Sequence, residues 1–451
     1  MEFKAGFNRQ VLNPTEPVPL AGYVNDGSRY HETIRHDICA TCVALSDGED
    51  TVLLIGFDVT VAGTEFSQLL RERLEKETGI PQDKMYLAGT HTHAGPGLGE
   101  QAIQRQFAAI ERYWVQFADG VSEAARLAIA DMKPASICVG SIETNNLTFV
   151  KHYKMCDKAS GEVSYIGDVF GTQQGKSFLG HATEVDRSLH LVKFAREAGK
   201  DIVLSNFRGH PHFDGGGQNH VLSSDFIGAY RKALESMVDC DVLYLQGASG
   251  NVNTSTRLED ERRYTCSTSH GMALAAYAIE CLSRYMIPLE AGKLRTKQVE
   301  IYGDKAEVDP EILQGAREVT KMWVETHNLE LCKAAAEERG MRSSYQALAI
   351  VGRAEREQKD LKMVLNALAI GDKLAIVTFP GELFENLAAR VEDQSPFDHT
   401  LVMGYAHHQV GYLPAMSAFK YTSYETDITR FTPGTGEIVA DKYIEMLKEL
   451  K

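Results

Sequence analysis

At 451 residues, 43% hydrophobic and 24% charged, the chain has apolar content for one large core or two smaller ones, and no sign of wholesale disorder. Its net charge of -15 argues against a nucleic-acid backbone or an anionic membrane surface as partner. Residues Met1–Gly6 lack the apolar run of a secretory signal, and no stretch approaches the roughly 20 apolar residues that span a bilayer, so a cytoplasmic protein is expected.

In chain order, strand and helix signals alternate without a repeat. Cys39–Leu45 and Thr51–Asp58 flank the turn cluster Ser46–Asp50 and read as a hairpin. Thr64–Thr78 shows apolar residues at helical spacing, with Gly79 as the stop. Lys84–Ala88 reads as a short strand entering a Gly/His-rich loop, and a helix follows over about Ile103–Met132. Ser188–Phe194 and Asp201–Phe207 form a second hairpin around Ala195–Lys200. Helical patterns recur at Asp225–Met237, Ser269–Tyr285, Leu383–Glu392 and Val439–Leu450. Val242–Leu245, Val364–Ile370 and Leu374–Phe379 read as strands, the last two joined by a turn at Gly371 and Asp372. This mixture predicts an α/β fold, with a mixed β-sheet core and flanking helices. The polar, helix-favouring segment 310–362 reads as a helical insertion or lid on a single domain spanning 1–451, its charges marking a solvated face.

Eight cysteines at irregular spacing in so long a chain read as reduced thiols. Cys39 and Cys42 spell C-x-x-C, but residues three apart on a strand face opposite sides, so their sulfurs are not expected to meet. Gly171–Ser177 resembles a phosphate-binding loop, with three residues between its glycines where four are needed, and reads as a flexible loop. No G-x-S-x-G elbow, H-E-x-x-H helix or G-x-G-x-x-G fingerprint is present. Serine-hydrolase, helical zinc-protease and dinucleotide chemistry thereby lose their usual support.

What remains is a set of polar loops at strand ends. Thr90-His91-Thr92-His93 leaves a strand and runs into Ala94-Gly-Pro-Gly97. Alternate positions on an extended segment point the same way, so both imidazoles can reach one cavity, and histidine is the commonest neutral metal ligand. A second H-x-H, His210-Pro211-His212, ends the strand Asp201–Phe207 and precedes a glycine run. Pro380-Gly381-Glu382 places a carboxylate beyond a third strand, at an expected helix start. Glu382 is there either a ligand or a carboxylate facing the helix dipole. Tyr405–Tyr412 adds two histidines and a tyrosine after another strand. Loops converging on one sheet edge are where α/β proteins place sites.

These four loops, in this order, resemble the neutral/alkaline non-lysosomal ceramidase family, through its amino-terminal catalytic domain, from Gly6 to about Glu425. Ala21-Gly-Tyr-Val-Asn25 is similar to the family's opening M-G-Y-x-N, and Ile34-Arg-His-Asp37 to its H-D segment before a strand. Thr90–Gly97 matches T-H-T-H-S-G-P-G with one small substitution and is the most specific motif. Asn206–Pro211 resembles N-F-A-x-H-P, Pro380–Glu382 matches P-G-E, and Gly411-Tyr412 matches the G-Y of G-Y-V-T-T. The resemblance implies one Zn2+ per chain, held by His91, His210, Glu382 and Tyr412. It implies His93 as proton shuttle or oxyanion stabiliser, and Tyr424 as a donor to the scissile carbonyl. Hydrolysis of a non-peptide carbon–nitrogen bond by metal-activated water is the implied reaction.

The departures narrow this expectation. The family's Q-S-N-x-G-D-V-S-P segment appears as Gln246–Thr254, with Gly247 at the position of a serine once assigned a catalytic role and Asn251 at that of an aspartate. Gln246, Asn251 and His212 are then candidates for the substrate pocket. The family's secreted members carry a signal peptide and a carboxy-terminal sandwich domain, and neither is expected here. A small-molecule N-acyl compound is accordingly the expected substrate. A metal-dependent esterase or lactonase, and an inactive ligand-binding member of the same fold, are the rival readings.

Overall fold

The computed structural model describes residues 2–23, 29–98, 108–168, 175–216, 219–254, 264–355, 360–407, 409–421 and 423–451. Period-two burial dictates its central layers. In the strand Thr51–Phe57, Leu53, Ile55 and Phe57 join one apolar cluster while Val52 and Leu54 join another. In Cys39–Ser46, Ala40, Cys42 and Ala44 face the first cluster, Val43 and Leu45 the second. Strands apolar on both faces must be covered on both faces. The first cluster is closed by the helices Thr64–Thr78 and Ala108–Ala130, whose buried residues include Leu70, Leu74, Phe117 and Val121.

The second cluster is closed by another sheet. Leu368, Ile370, Leu374, Ile376, Leu401 and Met403 come from a four-stranded sheet whose order runs Leu294–Asp304, Asp360–Ile370, Leu374–Thr378, His399–Met403. The opposite face of that sheet packs Met363, Leu365, Ala375 and Val377 against the helices Glu385–Asp393 and Thr435–Leu450. Helix, sheet, sheet and helix therefore stack as layers, an α/β architecture with mixed strand pairing. The larger sheet has nine strands, with Cys240–Gln246, Asp201–Phe207, Ser188–Arg196, Lys133–Glu143, Lys4–Val11, Cys39–Ser46, Thr51–Phe57 and Met85–Gly89 as its main path. The helices Asp225–Met237 and Ser267–Arg284 cover its first strands.

Both expected hairpins form, as antiparallel pairs. Helix Thr64–Thr78 stops at Gly79, whose φ of 74° is the left-handed turn glycine adopts without strain. The helix expected over about Ile103–Met132 is described as Ala108–Ala130, and residues 103–107 lie outside the described residues. So do 171–174 of the phosphate-loop look-alike, whose last residues belong to the strand Lys176–His181, part of a small three-stranded sheet. Among the strands not apparent in the hydrophobic pattern are Lys4–Val11, Lys133–Glu143 and Leu294–Asp304. Each is half-exposed along much of its length and carries polar residues at the outward positions, so its apolar count is low. Helices Pro310–Thr326, Leu329–Glu338 and Ser344–Ala354 build a cluster of their own around Ala316, Val319, Cys332 and Ile350. The next strand begins at Asp360, within the 310–362 segment expected to be an insertion. All eight cysteines are free thiols, and Cys39 and Cys42 lie buried on one strand without bonding.

Parallel pairing sets where the loops emerge. Met85–Gly89 runs parallel to Thr51–Phe57, Cys240–Gln246 to Asp201–Phe207, and His399–Met403 to Leu374–Thr378. The ends of the two sheets are stitched together at this edge. Asn206 Nδ2 donates to the carbonyls of Leu245 and Val402, each at 2.9 Å, and the Gly404 amide donates to the Gln246 carbonyl at 2.8 Å. Strand-end loops of both sheets thus meet in one place.

Candidate metal centre

The first loop is not extended. His91 has φ of 66°, because the Thr90 and His91 amides bend back to donate to the carbonyls of Phe57 (2.8 Å) and Val59 (3.0 Å). His91 Nδ1 donates to the Thr60 carbonyl at 2.8 Å, which leaves the lone pair on Nε2. The loop bearing that carbonyl is anchored just before it. Asp58 accepts from the Cys39 amide at 3.0 Å and from the buried guanidinium of Arg231 with both oxygens.

The second loop repeats the device. His210 Nδ1 donates to the Ser249 carbonyl at 3.2 Å, so its lone pair is also on Nε2. Both Nε2 atoms face His93, whose own Nε2 lies 3.2 Å from His91 and 2.9 Å from His210. His93 is wedged by close backbone: a Cβ at Gly22 or Gly215 would lie under 3 Å from it, so only glycine fits at either place. His212 turns away, donating from Nδ1 to the carbonyl of His210 at 2.9 Å.

Glu382 comes from the other sheet. It was expected at a helix start, but the helix begins at Glu385, and Glu382–Leu383 instead pairs in parallel with Tyr412–Leu413. Glu382 stands opposite Tyr412 in that register, the arrangement that brings these two residues side by side. Glu382 Oε2 lies 3.4 Å from His91 Nε2, is buried, and has no hydrogen-bond donor among the described residues.

A cation fits this set. The Nδ1 bonds direct the lone pairs of His91 and His210 inward, beside an unpartnered carboxylate oxygen, and one proton on His93 can answer only one of them. Bond lengths of about 2.0–2.1 Å at tetrahedral angles put ligand atoms roughly 3.3 Å apart, close to the 3.4 Å between His91 Nε2 and Glu382 Oε2. His91, His93 and His210 form the cluster, among the described residues, able to hold a metal ion.

Burial, followed by the neighbouring charges, pushes His93 and His210 well below the usual histidine range, so both are neutral at pH 7. His212 is pushed down to about 4, again mainly by burial. Burial and then Glu382 hold the Tyr412 hydroxyl well above its usual range, and Tyr424 is raised for the same two reasons, so both stay protonated in the metal-free chain. The Tyr412 and Tyr424 rings meet edge to face at 6.0 Å. Gln246 donates from Nε2 to the Gly209 carbonyl and to Ser249 Oγ, both at 2.9 Å. Asn251 Oδ1 accepts from the Glu385 amide at 2.8 Å and so caps a helix beside the site. Of the opening motif, Gly22 and Tyr23 reach His93, and Val24 and Asn25 lie outside the described residues, as does His408 of the fourth loop.

Several residues here carry no motif. Lys151 is buried with its Nζ 3.0 Å from Glu425 Oε1 and 5.5 Å from the centre of the Tyr412 ring, and His152 donates to the other Glu425 oxygen at 3.0 Å. Burial alone would raise Glu425, but Lys151 and then His152 outweigh it and hold the carboxylate low. Tyr405 stacks on His91 with ring centres 4.0 Å apart. Tyr345, from the helix Ser344–Ala354, meets the ring of Tyr424 at 5.4 Å. Lys151, His152 and Tyr345 lie far in sequence from the histidine loops, whereas Tyr405 opens the fourth of them and its contact with His91 needs the fold.

The fold has a counterpart among solved structures. No protein-family model and no curated protein matches the chain. It is similar to the solved structure of neutral ceramidase from Pseudomonas aeruginosa, with a TM-score of 0.70 at 16% sequence identity, covering 99% of this chain and 74% of that one. It is likewise similar to a ceramidase complexed with C2, with a TM-score of 0.70 at 14% identity over 99% and 75% of the two chains. The chain therefore has a ceramidase-like fold. No helix among the described residues is long and apolar enough to cross a membrane.

Proposed function

We propose that the protein is a zinc-dependent hydrolase that cleaves the non-peptide carbon–nitrogen bond of a small N-acyl compound. The observation that carries this reading is the set of inward-facing donors: the Nε2 lone pairs of His91 and His210 beside the unpartnered Oε2 of Glu382. In this reading His91, His210, Glu382 and Tyr412 hold one Zn2+, the ligand set implied by the motif resemblance. The ion, when bound, supplies Lewis acidity that acidifies a water molecule and polarises an acyl carbonyl.

The remaining work falls to the chain. His93 is neutral and its Nε2 sits against both histidines, so it takes a proton and returns it to the departing amine. Tyr424, held protonated, donates to the carbonyl oxygen as charge builds there. Gln246, Asn251 and His212 shape the substrate pocket. The ring of Tyr23 meets that of His93, and the rings of Tyr345 and Tyr412 meet that of Tyr424, so aromatic side chains border the proposed ligands.

The test is elemental analysis of purified protein followed by turnover of short N-acyl amines, with the matching esters beside them. About one zinc per chain and release of free amine support the proposal. A protein that takes up no Zn2+ refutes the metal chemistry, and faster turnover of esters than of amides moves the reading to an esterase.

A further inference from the structure

Tyr405 reaches, directly or through Ser249, the segments that carry His91, His210 and Glu382 without being among the proposed ligands. Its ring stacks on His91, centres 4.0 Å apart and planes 22° from parallel. Its hydroxyl shares a 2.7 Å hydrogen bond with Ser249 Oγ, and the carbonyl of that same serine accepts from His210 Nδ1. Its backbone completes the connection: the Gly89 amide, two residues before His91, donates to the Tyr405 carbonyl, and the Tyr405 amide donates to the carbonyl of Gly381, the neighbour of Glu382, both at 3.2 Å. Tyr405 is buried and adopts φ of 56°, a left-handed conformation that costs a non-glycine residue about 1–2 kcal/mol and persists only where the surroundings impose it.

We infer that Tyr405, with Ser249, is the positioning residue of the centre: a strut that fixes the planes of His91 and His210 relative to each other and to Glu382. The inference rests on the metal reading proposed above. His91 reaches the centre from the larger sheet on a bent loop, and Glu382 from the smaller one. Their relative placement is therefore not guaranteed by either sheet. Tyr405 follows the last strand of the smaller sheet, His399–Met403, and leans its ring on a ligand delivered by the larger. Ser249 is fully buried and is held in turn by Gln246 Nε2 at 2.9 Å, so the strut ends on a fixed point.

The experiment measures the Zn2+ dissociation constant of the full chain by chelator competition, for wild type, Y405F, S249A, the double variant and Y405L. Y405F keeps the ring and loses the link to Ser249, whereas Y405L loses both. Partners that orient a metal-binding histidine are worth about 10–100-fold in affinity, so Y405F and S249A are expected to weaken binding about tenfold each and Y405L about 100-fold. Because the two groups form one link, the double variant should lose no more than either single variant. Unchanged affinity in Y405F and S249A, or fully additive losses, overturns the inference. Should the wild-type chain bind no Zn2+, the metal proposal fails on its own. The strut is then read in the metal-free chain from the ring-proton NMR signals of His91 and His210, assigned with H91Q and H210Q. Both signals move in Y405F if the strut exists, and signals that stay in place in Y405F overturn it.

Discussion

The two H-x-H segments look alike on paper and behave differently. In Thr90–His93 both imidazoles enter the cluster, although the backbone at His91 is left-handed and not extended. In His210–His212 only the first does, because His212 Nδ1 is satisfied by the carbonyl of His210 and its ring centre lies 5.8 Å from that of His210. Spacing alone therefore decides neither case. What decides is which carbonyl each Nδ1 finds: Thr60 and Ser249 are external and turn Nε2 inward, whereas the carbonyl of His210 lies within the same loop and turns His212 aside.

The sharpest way to break this contrast is to remove the inward nitrogens. His91→Ala and His210→Ala are each expected to lower Zn2+ affinity by more than about 100-fold, beyond the range of outer partners, and to remove hydrolysis with it. Chelator competition beside the substrate panel reads both. Retained zinc in either variant would mean that the ion is held without that histidine, and would overturn the proposed ligand set.

The support of the first loop is next in size. Asp58 is fully buried and neutralised by Arg231, and it sits two residues before Thr60, whose carbonyl aims His91. Arg231→Met leaves a buried carboxylate without its partner, which is expected to cost on the order of 3–5 kcal/mol in urea unfolding. Adding Asp58→Asn should recover part of that loss. A single variant with wild-type stability would show that the first loop does not depend on this pair.

Sequence patterning explains the layers better than the centre. Thr51–Phe57 and Cys39–Ser46 are apolar on both faces, so their strand character and burial are legible from composition alone. Helix Asp225–Met237 is visible because its apolar stripe meets one layer only. Lys133–Glu143 and Leu294–Asp304 escape because hydrogen bonding to neighbours, and not apolar content, makes them strands. Within the centre, the residue types of His91, His93 and His210 announce metal chemistry at short range. Tyr405, Ser249 and Lys151 announce nothing by residue type, since the stacking of Tyr405 on His91, the hydroxyl shared with Ser249 and the ion pair of Lys151 with Glu425 arise only when positions 314, 156 and 274 apart converge. Glu382 lies between these cases: its P-G-E motif is visible, while its register opposite Tyr412 needs the fold.

Acid should loosen the second loop. Phe213, next to His212, packs with its ring 5.0 Å from that of His270, a buried side chain whose nitrogens have no partner among the described residues. Burial pushes His270 down to about 3, against about 6.5 in the unfolded chain. Between those values the unfolded chain takes up the proton and the folded chain does not. The contribution of His270 is therefore complete above about pH 6.5 and declines as the pH falls, by on the order of 2 kcal/mol near pH 4.5. His270→Phe should flatten that slope in urea titrations run across this pH range. An unchanged slope would move the acid sensitivity to other groups.

The smallest effect is expected at His212 itself, and it tests the contrast from the other side. His212→Gln keeps a side chain able to donate to the carbonyl of His210, and removes no nitrogen from the cluster. Zinc affinity should stay within about threefold of wild type, well below the range for partners that orient a ligand, while KM for an N-acyl amine rises if His212 lines the pocket. The wild-type imidazole, pushed down to about 4 chiefly by burial, is already neutral above pH 5, so the variant should leave the neutral and alkaline limbs of the kcat profile in place. Loss of zinc in this variant would make the second H-x-H the equal of the first, and would mean that loaded protein turns His212 inward, away from the carbonyl of His210.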